Sequence, residues 1–143
     1  MFERYIVCED GFRNVVKDGQ IEGFELKLRI PYYRGIALSL INSIDLEIDG
    51  VSFPHEDMVF TVETGSFPYH EMSTVINNRW ELGEKAVLFL KKQGGLNPGK
   101  HKVKVIINLR ISYLPFPTIR EGTKEIMLEE PKVLDSKGGV AVE

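Results

Sequence analysis

Along much of the chain apolar and polar residues alternate with a period of two. Phe24, Leu26, Leu28 and Ile30 are interleaved with Glu25, Lys27 and Arg29, and Ile44, Leu46 and Ile48 with Asp45, Glu47 and Asp49. Met58, Phe60 and Val62 alternate with Val59, Thr61 and Glu63. The longest series runs Val103, Val105, Ile107, Leu109 and Ile111 against Lys102, Lys104, Ile106, Asn108, Arg110 and Ser112. Successive side chains of a strand point to opposite faces, so each segment has one buried and one wetter face. Burial of one face only is the habit of antiparallel sheets, because parallel strands are covered on both sides. Several short strands with turns between them predict an all-β fold, an antiparallel β-sandwich.

The turn chemistry agrees. Asp49-Gly50 between Ile48 and Val51 is a strong hairpin signal, since a two-residue hairpin needs two residues that tolerate positive φ. Asp18-Gly19-Gln20 separates Phe12–Lys17 from the strand that begins near Glu22. Gly94 to Gly99 forms a long turn between strands expected at Ala86–Lys92 and Lys100–Leu114, and Asn97-Pro98-Gly99-Lys100 suits a type II turn. Pro115-Phe116-Pro117 ends the long strand, because neither proline can donate to a ladder. Helical spacing is confined to His70–Arg79, where Met72, Val75 and Ile76 share a face. The β-branched run Thr74-Val75-Ile76 and the pair Asn77-Asn78 limit it to a turn or so. The expected layout is one domain over residues 1–130 and a loosely held tail over 131–143, in which Val133 and Leu134 are candidates to dock on a neighbour.

Composition narrows the class. The chain has 143 residues, enough for one core without a metal or disulfide staple. A net charge of −3 argues against nucleic acid as a partner, because phosphate binding wants a basic face. A single cysteine, Cys8, excludes an internal disulfide and a four-thiolate zinc site. The sequence has no apolar run of a spanning helix's length, ~18 residues. Met1-Phe-Glu-Arg-Tyr-Ile6 lacks the basic-then-apolar tract of an export signal, so the cytoplasm is the expected location and no membrane partner is expected.

Catalytic constellations are hard to find. His55, His70 and His101 invite a metal reading, and the first two are each followed by a glutamate, yet their spacing fits no ligand motif. Cys8 reads as a small core hydrophobe rather than a nucleophile. The sequence has no Gly-x-Ser-x-Gly elbow and no phosphate-cradling Gly-x-x-x-x-Gly-Lys-Ser/Thr. Glu129-Glu130 suits a solvated strand end better than a glycosidase pair, which must face each other across a sugar. Trp80 reads as a core or rim aromatic. The segment that breaks the two-face pattern is Arg29-Ile-Pro-Tyr32-Tyr33-Arg34-Gly35, and Arg110-Ile-Ser-Tyr113 with Leu114-Pro-Phe116 has a similar character. Tyrosine and arginine gain most from a desolvated interface. Tyr32, Tyr33 and Arg34, and after them Arg110, Tyr113 and Phe116, are therefore the candidate interface or pocket-edge residues. The structural alternative is a kinked strand with one tyrosine packing inward and Arg34 reaching a carboxylate.

An ordered series of blocks carries a family resemblance. These are Asn14-Val-Val, Gly23-Phe24, Arg29-Ile-Pro-Tyr-Tyr-Arg-Gly-Ile-Ala-Leu-Ser-Leu40, Asp49-Gly50, Trp80, Gly94-Gly-Leu-Asn-Pro-Gly-Lys-His101 and Leu109-Arg-Ile-Ser-Tyr113. The series resembles the β subunit of bacterial C-glycoside deglycosidases from about Phe12 to Pro117. The resemblance implies a β-sandwich bound to a larger α subunit, a TIM barrel similar to sugar isomerases, that holds a divalent metal, typically manganese. It implies cleavage of the carbon–carbon bond between a 3-oxo-sugar and an aromatic, flavonoid-type aglycone at or near the subunit interface. The ketone at C3 makes the C2 proton acidic, so a base can form an enolate whose collapse expels the aryl carbon once an acid protonates it. No catalytic residue and no bound metal are expected in the present chain. The competing reading is a stand-alone carbohydrate- or ligand-binding sandwich.

Overall fold

A computed structural model describes residues 5–32, 34–111 and 114–134. Among the described residues there are two sheets and a short two-stranded ribbon, and the helical content is brief 3-10 turns. The six-stranded sheet contains β1 (Arg13–Lys17), β2 (Gln20–Arg29), β6 (Met58–Val62), β7 (Gly65–Pro68), β9 (Lys85–Lys91) and β12 (Glu129–Leu134), in the order β12-β1-β2-β9-β6-β7. The four-stranded sheet contains β4 (Ile41–Ile48), β5 (Val51–Ser52), β10 (Lys100–Leu109) and β11 (Thr118–Met127), ordered β11-β10-β4-β5. β3 (Ile36–Ala37) and β8 (Arg79–Trp80) form the ribbon.

The alternation decides which faces meet. Phe24, Leu26 and Leu28 of β2, Leu88 and Leu90 of β9 and Phe60 of β6 are fully buried, and they join Ile44 of β4 and Val103, Val105, Ile107 and Leu109 of β10 in one core. The predicted all-β sandwich is thus the observed architecture, with both sheets burying one face against the other. Trp80 lies in this core, its ring edge-on to Phe60 at 5.1 Å and its indole N–H donating to the Glu84 carbonyl. Pairing is antiparallel throughout the two main sheets except for β1 with β12, which run parallel. Asp49 and Gly50 both take positive φ and join β4 to β5 as a two-residue hairpin. Asp18 and Gly19 do the same between β1 and β2.

Three elements differ from the sequence reading. The long strand ends at Leu109 rather than Leu114, because its partner β4 begins only at Ile41; the preceding 3-10 turn, Leu38–Leu40, meets Arg110 through one backbone bond. β11 answers to no predicted strand. The expected tail begins as a strand, since 131–134 pair with β1; residues 135–143 lie outside the described residues. The helical turn falls at Tyr69–Thr74, the start of the segment expected for it. Among the described residues no helix is long and apolar enough to cross a membrane.

Candidate functional site

Topology gathers the two singled-out segments at one end of the sandwich. β2 runs out at Arg29, opposite Lys85 where β9 begins, and residues 30–35 link it in sequence to β3. On the other sheet β10 runs out at Leu109, opposite Ile41 and Thr118, and residues 110–117 link it in sequence to β11. The Arg110 backbone N–H donates to the Leu40 carbonyl (2.8 Å), tying the second loop to the stretch that follows the first. A third connection, Glu81–Glu84, closes between β8 and β9 at the same end.

Within this end the side chains divide. Tyr32 is 8% exposed and belongs to the core, which matches the inward-packing alternative for one tyrosine. Arg34 and Arg110 are exposed, and Phe116 keeps 62% of its surface in water. Tyr33 and Tyr113 lie outside the described residues. The loop's exit is pinned from β8: the Arg79 guanidinium donates to the Gly35 carbonyl (2.8 Å) and pairs with the Glu81 carboxylate (3.4 Å). A Cβ at Gly35 would fall 2.0 Å from that carboxylate, so a side chain there would push the exposed Glu81 side chain aside. Leu82, 60% exposed in the Glu81–Glu84 turn, shares this end and was not a candidate from sequence. Its only signal there is one apolar residue beside Gly83 among acids.

The opposite end holds the other specific block, and its residues do structural work. Asn14, 5% exposed, accepts the Leu96 N–H and donates to the Leu96 carbonyl, both at 2.9 Å. Gly95 makes room for this clamp: its φ is +61° and a Cβ would lie 2.4 Å from the Asn14 amide oxygen. His101 bridges the same turn to the β4–β5 hairpin, through Nδ1 to Asp49 (2.6 Å) and Nε2 to the Asn97 carbonyl (2.7 Å). Both partners are acceptors, so the doubly protonated ring is favoured. Burial, the largest single influence, pushes the imidazole pKa down; the Asn97 carbonyl and the Asp49 carboxylate outweigh it and hold it above the ordinary value. The Lys102 N–H, and then His101, hold Asp49 below the ordinary carboxylate value.

The other two histidines lie apart from this turn. His55 bonds Asp45 (2.7 Å) and stacks on Tyr69 at 4.2 Å, while His70 is exposed beside Glu71. The three histidines do not share a site, and no group of three or more His, Cys, Asp or Glu among the described residues is placed to hold a metal ion. Burial raises the pKa of the Cys8 thiol, which disfavours the thiolate a nucleophile needs. A cleft of about 660 Å³ is lined by Tyr5, Glu9, Asp10, Arg29, Lys124 and Glu129. Its charges are engaged within the chain: Glu9 with Lys124, Asp10 with Lys85, Arg29 with the Tyr5 carbonyl, and Glu129 with the Gly11 N–H. Among the described residues the arrangement offers recognition surfaces and no nucleophile–base pair.

Comparison with known proteins agrees with the motif series. Residues 2–113 match the family model described as "C-glycoside deglycosidase beta subunit". A C-glycoside deglycosidase beta subunit of Eubacterium cellulosolvens is 34% identical over 134 residues, covering 91% of this chain and 90% of that protein. A 3'-dehydrocarminate deglycosidase beta subunit of a Microbacterium species is 28% identical over 115 residues, 80% of this chain and 83% of its own. With more than three quarters of its length inside the family model, the chain belongs to the C-glycoside deglycosidase beta subunit family.

Proposed function

We propose that this chain is the small subunit of a two-component carbon–carbon lyase, which it forms with a TIM-barrel α subunit. The complex cleaves the bond between a 3-oxo-sugar and an aromatic, flavonoid-type aglycone. The observation that carries the reading is the near full-length match to proteins named as deglycosidase beta subunits. The divalent ion of the complex, manganese by expectation, belongs to the barrel. The histidines of this chain do not fit it, because His101 and His55 already bond carboxylates at separate places and the exposed His70 has only Glu71 beside it. The small subunit's contribution is shape. Catalytic loops of a barrel lie at its C-terminal mouth. Arg34, Arg110 and Phe116, presented on loops held by a rigid sandwich, form an edge suited to that mouth and to an aromatic aglycone. Tyr32 secures the loop from inside the core.

Co-expression with the barrel subunit tests the assignment. The double replacement of Arg34 and Phe116 by alanine is expected to lower both complex yield and cleavage of a 3-oxo-C-glucoside. Wild-type yield and turnover in that variant would remove the loop end from the interface.

A further inference from the structure

Three places in the chain read Asp-Gly: Asp10-Gly11, Asp18-Gly19 and Asp49-Gly50. Such a pair can rearrange its own backbone. The glycine nitrogen attacks the aspartate Cγ, a bond forms between them, and the amide proton and the carboxyl oxygen leave as water, closing a succinimide ring. Water then adds to either ring carbonyl and breaks its bond to nitrogen. Opening at Cγ restores aspartate, whereas opening at the main-chain carbonyl leaves the chain running through Cγ, an isoaspartyl link. One water leaves and one enters, so no co-reactant is consumed. Glycine favours the attack because no Cβ shields its nitrogen. The aspartate must have a carboxyl group that is free to turn onto that nitrogen and to take up a proton.

All three glycines take positive φ, +83°, +77° and +85°, and all three aspartates are exposed, so neither backbone hand nor access to water separates the pairs. Hydrogen bonding does. At Asp10-Gly11 the attacking nitrogen is engaged, its N–H donating to Glu129 (2.9 Å), and the carboxylate pairs with Lys85 (3.0 Å) and Lys27 (3.7 Å). At Asp49-Gly50 one carboxylate oxygen accepts the Lys102 N–H (2.8 Å) and the other meets His101 Nδ1 (2.6 Å). The Asp49 N–H itself donates to the Lys102 carbonyl (2.9 Å). Both carboxylates are thereby fixed in position and in their charged form. Asp18 differs. Among the described residues nothing bonds or pairs with its carboxylate, and a Cβ at Gly19 would have open space around it. A hollow of about 380 Å³, lined in part by Lys17, Asp18 and Gln20, opens beside the turn and gives room for the water that is released and taken up.

We infer that Asp18-Gly19 is a modification site, where the chain converts spontaneously to an isoaspartyl link, while the bonds made by Asp10, Gly11 and Asp49 hold the other two Asp-Gly pairs out of the reaction. The isoaspartyl form carries one more backbone carbon between Lys17 and Gln20, the pair that closes this hairpin. β1 lies between β2 and β12, with Lys17 opposite Leu134, so the lengthened turn loosens the sheet there. This inference is independent of the subunit assignment.

The test ages the purified full-length chain at neutral pH and physiological temperature and then digests it. Isoaspartate is located by diagnostic backbone fragments in mass spectrometry and by methyl transfer from an isoaspartyl methyltransferase. Breaking even one hydrogen bond to a charged group slows a reaction that requires it, so the Asp18 peptide should accumulate isoaspartate at least about tenfold faster than the Asp10 or Asp49 peptide. Comparable rates at the three pairs in the folded chain overturn the inference, and so does a slower rate at Asp18. The same chain aged in guanidinium, where every pair has lost its partners, should bring the three rates together. A preference for Asp18 that persists unchanged in the unfolded chain comes from its neighbours in sequence, and overturns the role given to the hydrogen bonds.

Discussion

Asn14 makes two hydrogen bonds to one residue, Leu96, from a site that water scarcely reaches. Asn14→Ala leaves a buried N–H and carbonyl unmatched, at a cost of about 2–3 kcal/mol. Asn42, exposed and bonded to Asn108, is the control, with an expected change under about 0.5 kcal/mol on alanine replacement. Urea unfolding of both variants checks the contrast. His101 gives the same end of the molecule a pH dependence. Its folded pKa is raised, so its stabilisation is complete below the unfolded imidazole value of ~6.5 and disappears as pH rises through the folded value. Asp49 works in the other direction: its folded pKa is lowered, so its stabilisation holds above ~3.9 and is lost on acidification through the folded value. The clamp is therefore complete in mild acid. Unfolding of wild type and His101→Gln across that range should show a stability difference that shrinks toward alkaline pH. A difference that stays constant with pH contradicts the charged clamp.

Strand elements were legible where one face is wholly apolar, as in β2, β4, β6 and β10. β11 was not, and the reason is physical. Its core-side positions include Arg120, Gly122 and Lys124, the residues that protect an edge, and they erase the alternation. β12 was hidden by Pro131, which a mid-sheet strand does not tolerate but an outermost one does. Close approach between elements was equally invisible in one dimension. A Cβ at Gly23 would lie 2.0 Å from the Leu90 carbonyl, so β2 and β9 pair only because that position is bare. Gly23→Ala is expected to destabilise the fold by about 2–4 kcal/mol, since backbone cannot yield cheaply. Gly65→Ala meets only the end of the Phe67 ring at 3.1 Å and should cost less than about 1 kcal/mol. Thermal denaturation of the two variants separates these outcomes.

The whole molecule divides its distinctive residues between two ends. The Gly94–His101 block, with Asn14 and Asp49, builds a rigid turn system, so its specificity is that of a fold. The linking segments 31–35 and 110–117 carry Arg34 and Phe116, which face water at the other end over a core that includes Tyr32 and Trp80. Sequence could pick out those loops because tyrosine, arginine and proline interrupt the alternation. It could not show that they converge, because only the sheet registers bring Arg29, Lys85, Leu109 and Thr118 to one end. Nor could it find the hollow of about 350 Å³ that Val15, Val87, Phe89 and Leu134 help to line, because these residues come from separate strands. The central claim is that this subunit completes an active site it does not itself contain. The most direct measurement compares turnover of a 3-oxo-C-glucoside by the purified chain, by the barrel subunit, and by the two combined. The account predicts cleavage by the combination and none by this chain; carbon–carbon cleavage by the chain on its own would contradict it.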